Sequence, residues 1–100
     1  MSSIENLKVL IESAEQVLTE AVQSLNEGRY TDVSTHVQNL FRTIADLSSQ
    51  FDYLDESEAL KDIDFVRELK QRVIALNTGT DVLQQDLEVV LKEAIESKLN

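Results

Sequence analysis

The chain of 100 residues contains no cysteine, no proline and no tryptophan, and only two of its residues are glycine. Without cysteine it can form no disulfide, offer no thiolate nucleophile and bind no metal through sulfur. Its apolar runs, such as residues 9–11 and 89–91, are far shorter than the roughly 20 residues of a membrane span. The first residues show no basic stretch followed by an apolar core, which would mark a secretory signal. We therefore expect a soluble, cytoplasmic protein.

Positive charge is also scarce. Nine lysine and arginine residues stand against nineteen aspartate and glutamate residues, which gives a net charge of −10. Such a charge repels nucleic-acid phosphates and anionic lipid, so we expect neither nucleic acid nor a membrane as a partner. Hydrophobic residues make up 42% of the chain, a fraction typical of globular proteins. At this length, residues 1–100 are expected to form a single helical domain.

The apolar residues of the first half follow a seven-residue repeat, which is typical of helix bundles. Two stripes alternate steps of three and four residues: Ile4, Leu7, Ile11, Ala14, Leu18, Ala21 and Leu25, then Tyr30, Val33, Val37, Leu40, Ile44, Leu47, Phe51 and Leu54. They predict a first helix over residues 3–27 and a second over residues 31–53.

Capping residues support these boundaries. Ser2 and Glu5 have the spacing of a capping box at the start of the first helix. Gly28 stands where a left-handed residue commonly ends a helix. Thr31 or Asp32 is the expected N-cap of the second helix.

The second half predicts two more helices, over residues 57–77 and from Asp81 onward. Their stripes are Ile63, Val66, Leu69, Val73 and Leu76, then Leu83, Leu87, Val90 and Ala94. Residues 77–80, Asn-Thr-Gly-Thr, predict the turn between them, with glycine at the helix exit. A break is expected at residues 55–57; the alternative is a nearly continuous second and third helix, which would favour a dimer that exchanges helices. The predicted fold is all-α, an antiparallel up-down four-helix bundle.

The residues that could perform chemistry do not form a known motif. His36, the only histidine, lies four residues after Asp32, which suits either an acid–base pair or a surface contact. A phosphocarrier role for His36 is a third hypothesis, although no phosphotransfer motif surrounds it. The acidic run over residues 52–64 lacks the central glycine of an EF-hand loop, so a solvated loop is the better interpretation. We expect no enzymatic activity, no cofactor and no metal site.

Several apolar residues lie beside or off the stripes: Leu10, Val17, Val22, Phe41, Phe65, Val82, Val89, Leu91 and Ile95. Some of them must widen the contacts of the core. Any that remain exposed would form an apolar groove for a partner helix or for a second copy of the chain.

Two segments are similar to a known family. Residues 72–81 read Arg-Val-Ile-Ala-Leu-Asn-Thr-Gly-Thr-Asp, and residues 25–30 read Leu-Asn-Glu-Gly-Arg-Tyr, followed by His36 and Val37. They resemble the flagellar export chaperone FliS family, whose penultimate helix commonly ends Arg-Leu-Ile-x-x-Asn and whose first turn carries Glu-x-x-Tyr. The length and order of the predicted helices agree over nearly the whole chain. Residues 53–57 depart from the family, in which a loop with glycine is usual. The family also usually carries an additional N-terminal segment with tyrosines before its first long helix, whereas the first predicted helix here begins almost at residue 1.

The resemblance implies a non-enzymatic, cytoplasmic chaperone that binds the C-terminal segment of newly made flagellin and masks it before export. It implies structural roles for Ile74, Leu76 and Asn77 but transfers no groove residue. Phe65, Val82 and Val89 are our candidates for contact with the partner. The predicted function is therefore FliS-like binding of an amphipathic segment, of flagellin or of a similar export substrate. The alternative is a self-associating bundle, a homodimer of unknown cellular role.

Overall fold

The computed structural model describes the backbone of residues 3–99 and the side chains of residues 3–98. Four helices occupy this part of the chain: α1 (Ser3–Asn26), α2 (Tyr30–Asp52), α3 (Glu56–Lys61) and α4 (Ile63–Leu99). No strand occurs within the described residues. The predicted all-α fold class and the predicted number of helices are therefore confirmed, while the proposed capping residue Ser2 lies outside the described residues.

The three long helices α1, α2 and α4 form an elongated, up-down bundle measuring 62 × 18 × 17 Å. The first half of α1 shares a core cluster with the second half of α2 and the first half of α4. The opposite ends of the same three helices share a second cluster. Consequently α2 runs antiparallel to both α1 and α4, as the short connections predict. The short helix α3 contains no buried residue, and only Ala59 of this helix packs against the core.

The predicted stripes supply the core. The larger cluster contains Ile4, Leu7, Ile11, Ala14, Leu40, Ile44, Leu47, Val66, Leu69, Val73 and Leu76. The smaller cluster contains Ala21, Val33, Val37, Leu83 and Leu87. Leu18 packs against both clusters, so it joins the two halves of the core.

The turn between α1 and α2 confirms the role predicted for Gly28. This glycine has a φ of 77°, a left-handed conformation that other residues adopt only under strain. Its N–H donates to the carbonyl of Leu25 at 3.1 Å, and the N–H of Arg29 donates to the carbonyl of Ser24 at 2.9 Å. These two bonds are the Schellman motif, which satisfies the last carbonyls of a helix.

The predicted N-cap of α2, Thr31 or Asp32, is wrong. The helix begins at Tyr30, and Arg29 occupies the N-cap position without a side-chain capping bond. Because the Schellman turn ends at Arg29, no residue remains between it and α2. The guanidinium of Arg29 instead serves the end of α1, where it lies 2.8 Å from the carboxylate of Glu27 and donates to Ser24 Oγ at 3.3 Å.

The predicted turn at residues 77–80 is also wrong, because α4 continues through it. Gly79 lies in the helix interior, and a Cβ added there would be 3.0 Å from Cδ2 of Leu18. Its missing side chain therefore serves a close approach between α4 and α1. The next residue, Thr80, is fully buried, and its hydroxyl donates to the carbonyl of Leu76 at 2.8 Å. A polar residue thus occupies a core position without an unpaired group.

The chain breaks between α2 and α3 instead. Residues 53–55 separate the two helices, slightly before the predicted break at residues 55–57. The alternative of one continuous second and third helix is therefore wrong. Asp62 then separates α3 from α4, so the predicted helix over residues 57–77 is divided at that point.

Candidate partner-binding grooves

The residues considered for acid–base chemistry or metal binding do not form a site within the described part of the chain. Asp32 is exposed and His36 is partly buried, and no hydrogen bond or ion pair joins them. Within residues 3–99, no group of three or more His, Cys, Asp or Glu side chains is placed to hold a metal ion. The acidic residues of the run over residues 52–64 are exposed around α3. The surface features that remain are grooves between the long helices.

The α1–α4 side of the bundle is closed. Arg72 of α4 donates through Nε to Glu15 of α1 at 3.1 Å, and its Nη2 donates to the other oxygen of the same carboxylate. These hydrogen bonds to Glu15 raise the pKa of the Arg72 guanidinium above its ordinary value, and burial acts in the opposite direction. Leu18 fills the space beside Gly79 on the same pair of helices.

The α2–α4 side is open near the C-terminal end of α2. A pocket of about 250 Å³ lies here, and it is lined by Ser48, Phe51, Asp52, Lys70, Val73 and Ile74. The ammonium of Lys70 stands 5.9 Å from the ring centroid of Phe51, within cation–π range. Ile74 is 58% exposed although it is a large apolar residue.

A second pocket of about 300 Å³ lies farther along the same two helices. It is lined by Ser34, Val37, Gln38, Phe41, Gln84, Leu87, Glu88 and Leu91. Phe41 is partly buried here, and Leu91 is 40% exposed. The two pockets and the exposed α4 residues Asn77 and Asp81 between them form one surface, which we call the α2–α4 groove. From Lys70 to Leu91 it follows α4 for about 32 Å, the length of a helix of about 20 residues.

A smaller groove lies between α1 and α2. It encloses about 200 Å³ and is lined by Leu10, Ser13, Ala14, Val17, Asn39, Leu40 and Thr43. Leu10 and Val17, which lie off the first stripe, are therefore only partly covered. This groove is the smaller alternative for a partner helix.

The end of α4 has no neighbouring helix. At 1.5 Å per residue, α4 is about 55 Å long and α1 about 36 Å. Leu87 is the last buried residue of α4, and every residue from 91 to 98 is exposed. We call residues 91–98 the α4 extension. Its apolar residues Leu91, Ala94 and Ile95 lie on the face of the helix that carries Leu87, and Ile95 is 60% exposed.

The structure does not bring the three predicted contact residues together. Phe65 is partly buried and packs against the larger core cluster. Val82 and Val89 are about half exposed, but they lie on the outer face of α4 and line none of the pockets described above. Phe65 and Val82 are separated by about 25 Å along the helix.

The groove is lined by residues that were not predicted from the sequence as partner contacts. Phe41 and Leu91 belong to the set found beside the stripes, so their position beside a seam was a usable signal. Ile74 was assigned a structural role through the resemblance, yet it is exposed in the groove. The structural role implied for Leu76 agrees with its burial. No sequence signal identifies Ile74, because the predicted turn at residues 77–80 concealed the face on which it lies.

Comparison of the chain with protein-family models, with curated proteins and with solved structures gives no match. No helix of residues 3–99 combines the length and the apolar character that crossing a membrane requires. Any function must therefore be inferred from the grooves, the α4 extension and their charges.

Proposed function

We propose that this protein is a non-enzymatic, cytoplasmic binding protein that holds an amphipathic helix of a partner protein in the α2–α4 groove. The C-terminal segment of flagellin, the ligand implied by the resemblance to FliS, is the first candidate. The observation that carries the proposal is the open groove itself, in which apolar side chains remain uncovered on a bundle of three long helices.

The shape of the groove supports this class of ligand. Three packed helices leave a furrow between each pair, and a fourth helix in one furrow completes the geometry of a four-helix bundle. An amphipathic helix places apolar residues at steps of three and four into such a furrow. Phe51 and Ile74 at one end, and Phe41 and Leu91 at the other, offer contacts spread over about five turns of α4.

Charge supports a protein ligand with basic residues on its flanks. The rim of the groove carries Asp52, Asp81 and Glu88, with Lys70 as a cation among them. The net charge of −10 opposes association with nucleic acid and keeps a surface with exposed apolar groups from aggregating.

Isothermal titration calorimetry of the full chain with a synthetic peptide of the flagellin C-terminal segment tests the proposal. A scrambled peptide of the same composition controls for charge and hydrophobicity. We expect the native peptide to bind and the scrambled peptide not to bind. The substitution Ile74→Glu should weaken binding at least tenfold, which corresponds to about 1.4 kcal/mol, because it buries a charge against the peptide.

Val89→Glu is the matched control. It introduces the same charge at a similarly exposed aliphatic residue of the same helix, outside the groove. It should change the affinity less than twofold. Failure of the peptide to bind would refute flagellin as the ligand, and equal effects of the two substitutions would refute the groove as the site.

A further inference from the structure

We infer that the α4 extension is a docking element for a second copy of this chain. Two copies associate antiparallel through α4, and each extension covers the part of the other copy's α2–α4 groove that Phe41 and Leu91 line. This inference concerns the protein without any partner and does not depend on flagellin as a ligand.

The apolar seam of α4 continues beyond the core. From Val66 the buried positions of α4 advance by alternating steps of three and four residues as far as Leu87. The same spacing continues at Val90 and Ala94, and Leu91 and Ile95 widen the seam. An apolar face in register with a core seam is built for another helix, yet only Leu91 at its start lines a pocket with α2, and every residue from 91 to 98 is exposed.

The apolar face of the extension adjoins the α2–α4 groove, which offers apolar contacts to it. The second pocket of the groove, of about 300 Å³, ends at Leu91, where the extension begins. Phe41 and Leu87 are its apolar contacts. In an antiparallel pair that places Leu91 of one copy opposite Leu87 of the other, Ile95 lies opposite residues 83–84. Because the arrangement is two-fold symmetric, the contact forms twice, which doubles its area.

The net charge of the extension also favours association with a second copy. Two copies that each carry a charge of −10 repel one another over most of their surface. The extension contains two lysines, Lys92 and Lys98, and two glutamates, Glu93 and Glu96, so its net charge is zero. Neither lysine forms an ion pair within residues 3–98. In the antiparallel register Lys98 reaches Asp81 of the second copy, an exposed carboxylate that also has no ion pair in that part of the chain.

Sedimentation velocity of the full chain without ligand tests the association. We expect a dimer at about 100 µM that dissociates on dilution, since an interface of this limited size belongs to the weak class. Ile95→Glu should raise the dissociation constant at least tenfold, because it places a charge in the seam. Val89→Glu, on the outer face of the same helix, should leave the dissociation constant within twofold of the wild-type value.

Disulfide cross-linking tests the register, because the chain has no cysteine of its own. Under mild oxidation, Gln84→Cys combined with Ile95→Cys should form a covalent dimer. Gln85→Cys combined with Ile95→Cys should not, because residue 85 points away from the groove.

Three results would overturn the inference: a monomer at every concentration up to about 500 µM, a dimer that Ile95→Glu does not weaken, or equal cross-linking of the two cysteine pairs. The dimer and the peptide would share the part of the groove lined by Phe41 and Leu91, so peptide binding is also measured on Ile95→Glu, the variant expected to be monomeric. A monomeric wild-type chain that binds the peptide would overturn only the dimer. A wild-type chain that dimerises, together with an Ile95→Glu chain that binds no peptide, would overturn only the flagellin ligand.

Discussion

Replacing Gly79 by alanine distinguishes a continuous α4 from the turn that the sequence predicts at residues 77–80. In the interior of a helix, alanine is more favourable than glycine by about 1 kcal/mol. At Gly79, however, the new Cβ would lie 3.0 Å from Cδ2 of Leu18, whereas nonbonded carbon atoms prefer about 3.5–4.0 Å. The gain in helix propensity is therefore opposed by crowding between α4 and α1.

The gain in helix propensity and the cost of crowding can be measured separately by truncating Leu18. Crowding in a packed core costs about 1–3 kcal/mol, so Gly79→Ala alone should leave stability unchanged or lower it by up to about 2 kcal/mol. In the background of Leu18→Ala the crowding disappears, and the same substitution should stabilise the protein by about 1 kcal/mol. The coupling free energy between the two sites is thus expected to be about 1–3 kcal/mol.

Urea unfolding of the four chains of this cycle, followed by circular dichroism at 222 nm, measures each free energy of unfolding. If Gly79 were the left-handed end of a helix, alanine would cost about 1–2 kcal/mol whether or not Leu18 is present. An equal loss of stability in both backgrounds would therefore refute the continuous helix and restore the turn.

Two further predictions concern the helix ends and the α1–α4 contact. Gly28→Ala should lower the free energy of unfolding by about 1–2 kcal/mol in the same assay, because its φ of 77° strains any residue with a Cβ; an unchanged stability would contradict the Schellman turn. A double-mutant cycle of Arg72→Met and Glu15→Gln should give a coupling of about 0.5–1 kcal/mol, since both side chains remain about one-third exposed, and the coupling should fall in 1 M NaCl. The pKa of Arg72 is raised, so its guanidinium stays charged at every pH below the ordinary arginine pKa. The coupling measured by the same cycle should therefore be unchanged up to about pH 10, and its loss in this range would contradict the ion pair.

The sequence was sufficient to predict the first half of the fold. The stripes of α1 and α2 contain their buried apolar residues, and Gly28 ends α1 as its position indicates. Both signals are local: a seven-residue repeat requires a buried face, and a left-handed turn requires glycine. The N-cap of α2 was missed because a preceding Schellman motif, which depends on backbone bonds, determines where that helix starts.

The second half shows where local signals conflict. Gly79 between polar residues has the chemistry of a turn, but the seam runs through it at Val73, Leu76, Thr80, Leu83 and Leu87. Counting Thr80 as a seam position would have predicted the continuous helix. The reason for glycine at position 79 is the side chain of Leu18, a contact between residues 61 positions apart that no local pattern records.

The proposed binding surface was not predicted from the sequence for a related reason. One repeat produces both the core residues of α4 and the apolar face of its extension, so the sequence does not distinguish Leu87 from Ala94. What separates them is the reach of the neighbouring helices: α1 ends at Asn26 and α2 begins at Tyr30, and beyond that turn α4 has no intramolecular partner. Most of the stability of a protein helix comes from packing of its apolar face, so a segment that extends past its neighbours would be stabilised by another helix packed on its seam. Because the seam continues here through Val90, Leu91 and Ala94 on a segment of zero net charge, association with a second copy accounts for features that the fold of a single chain does not require.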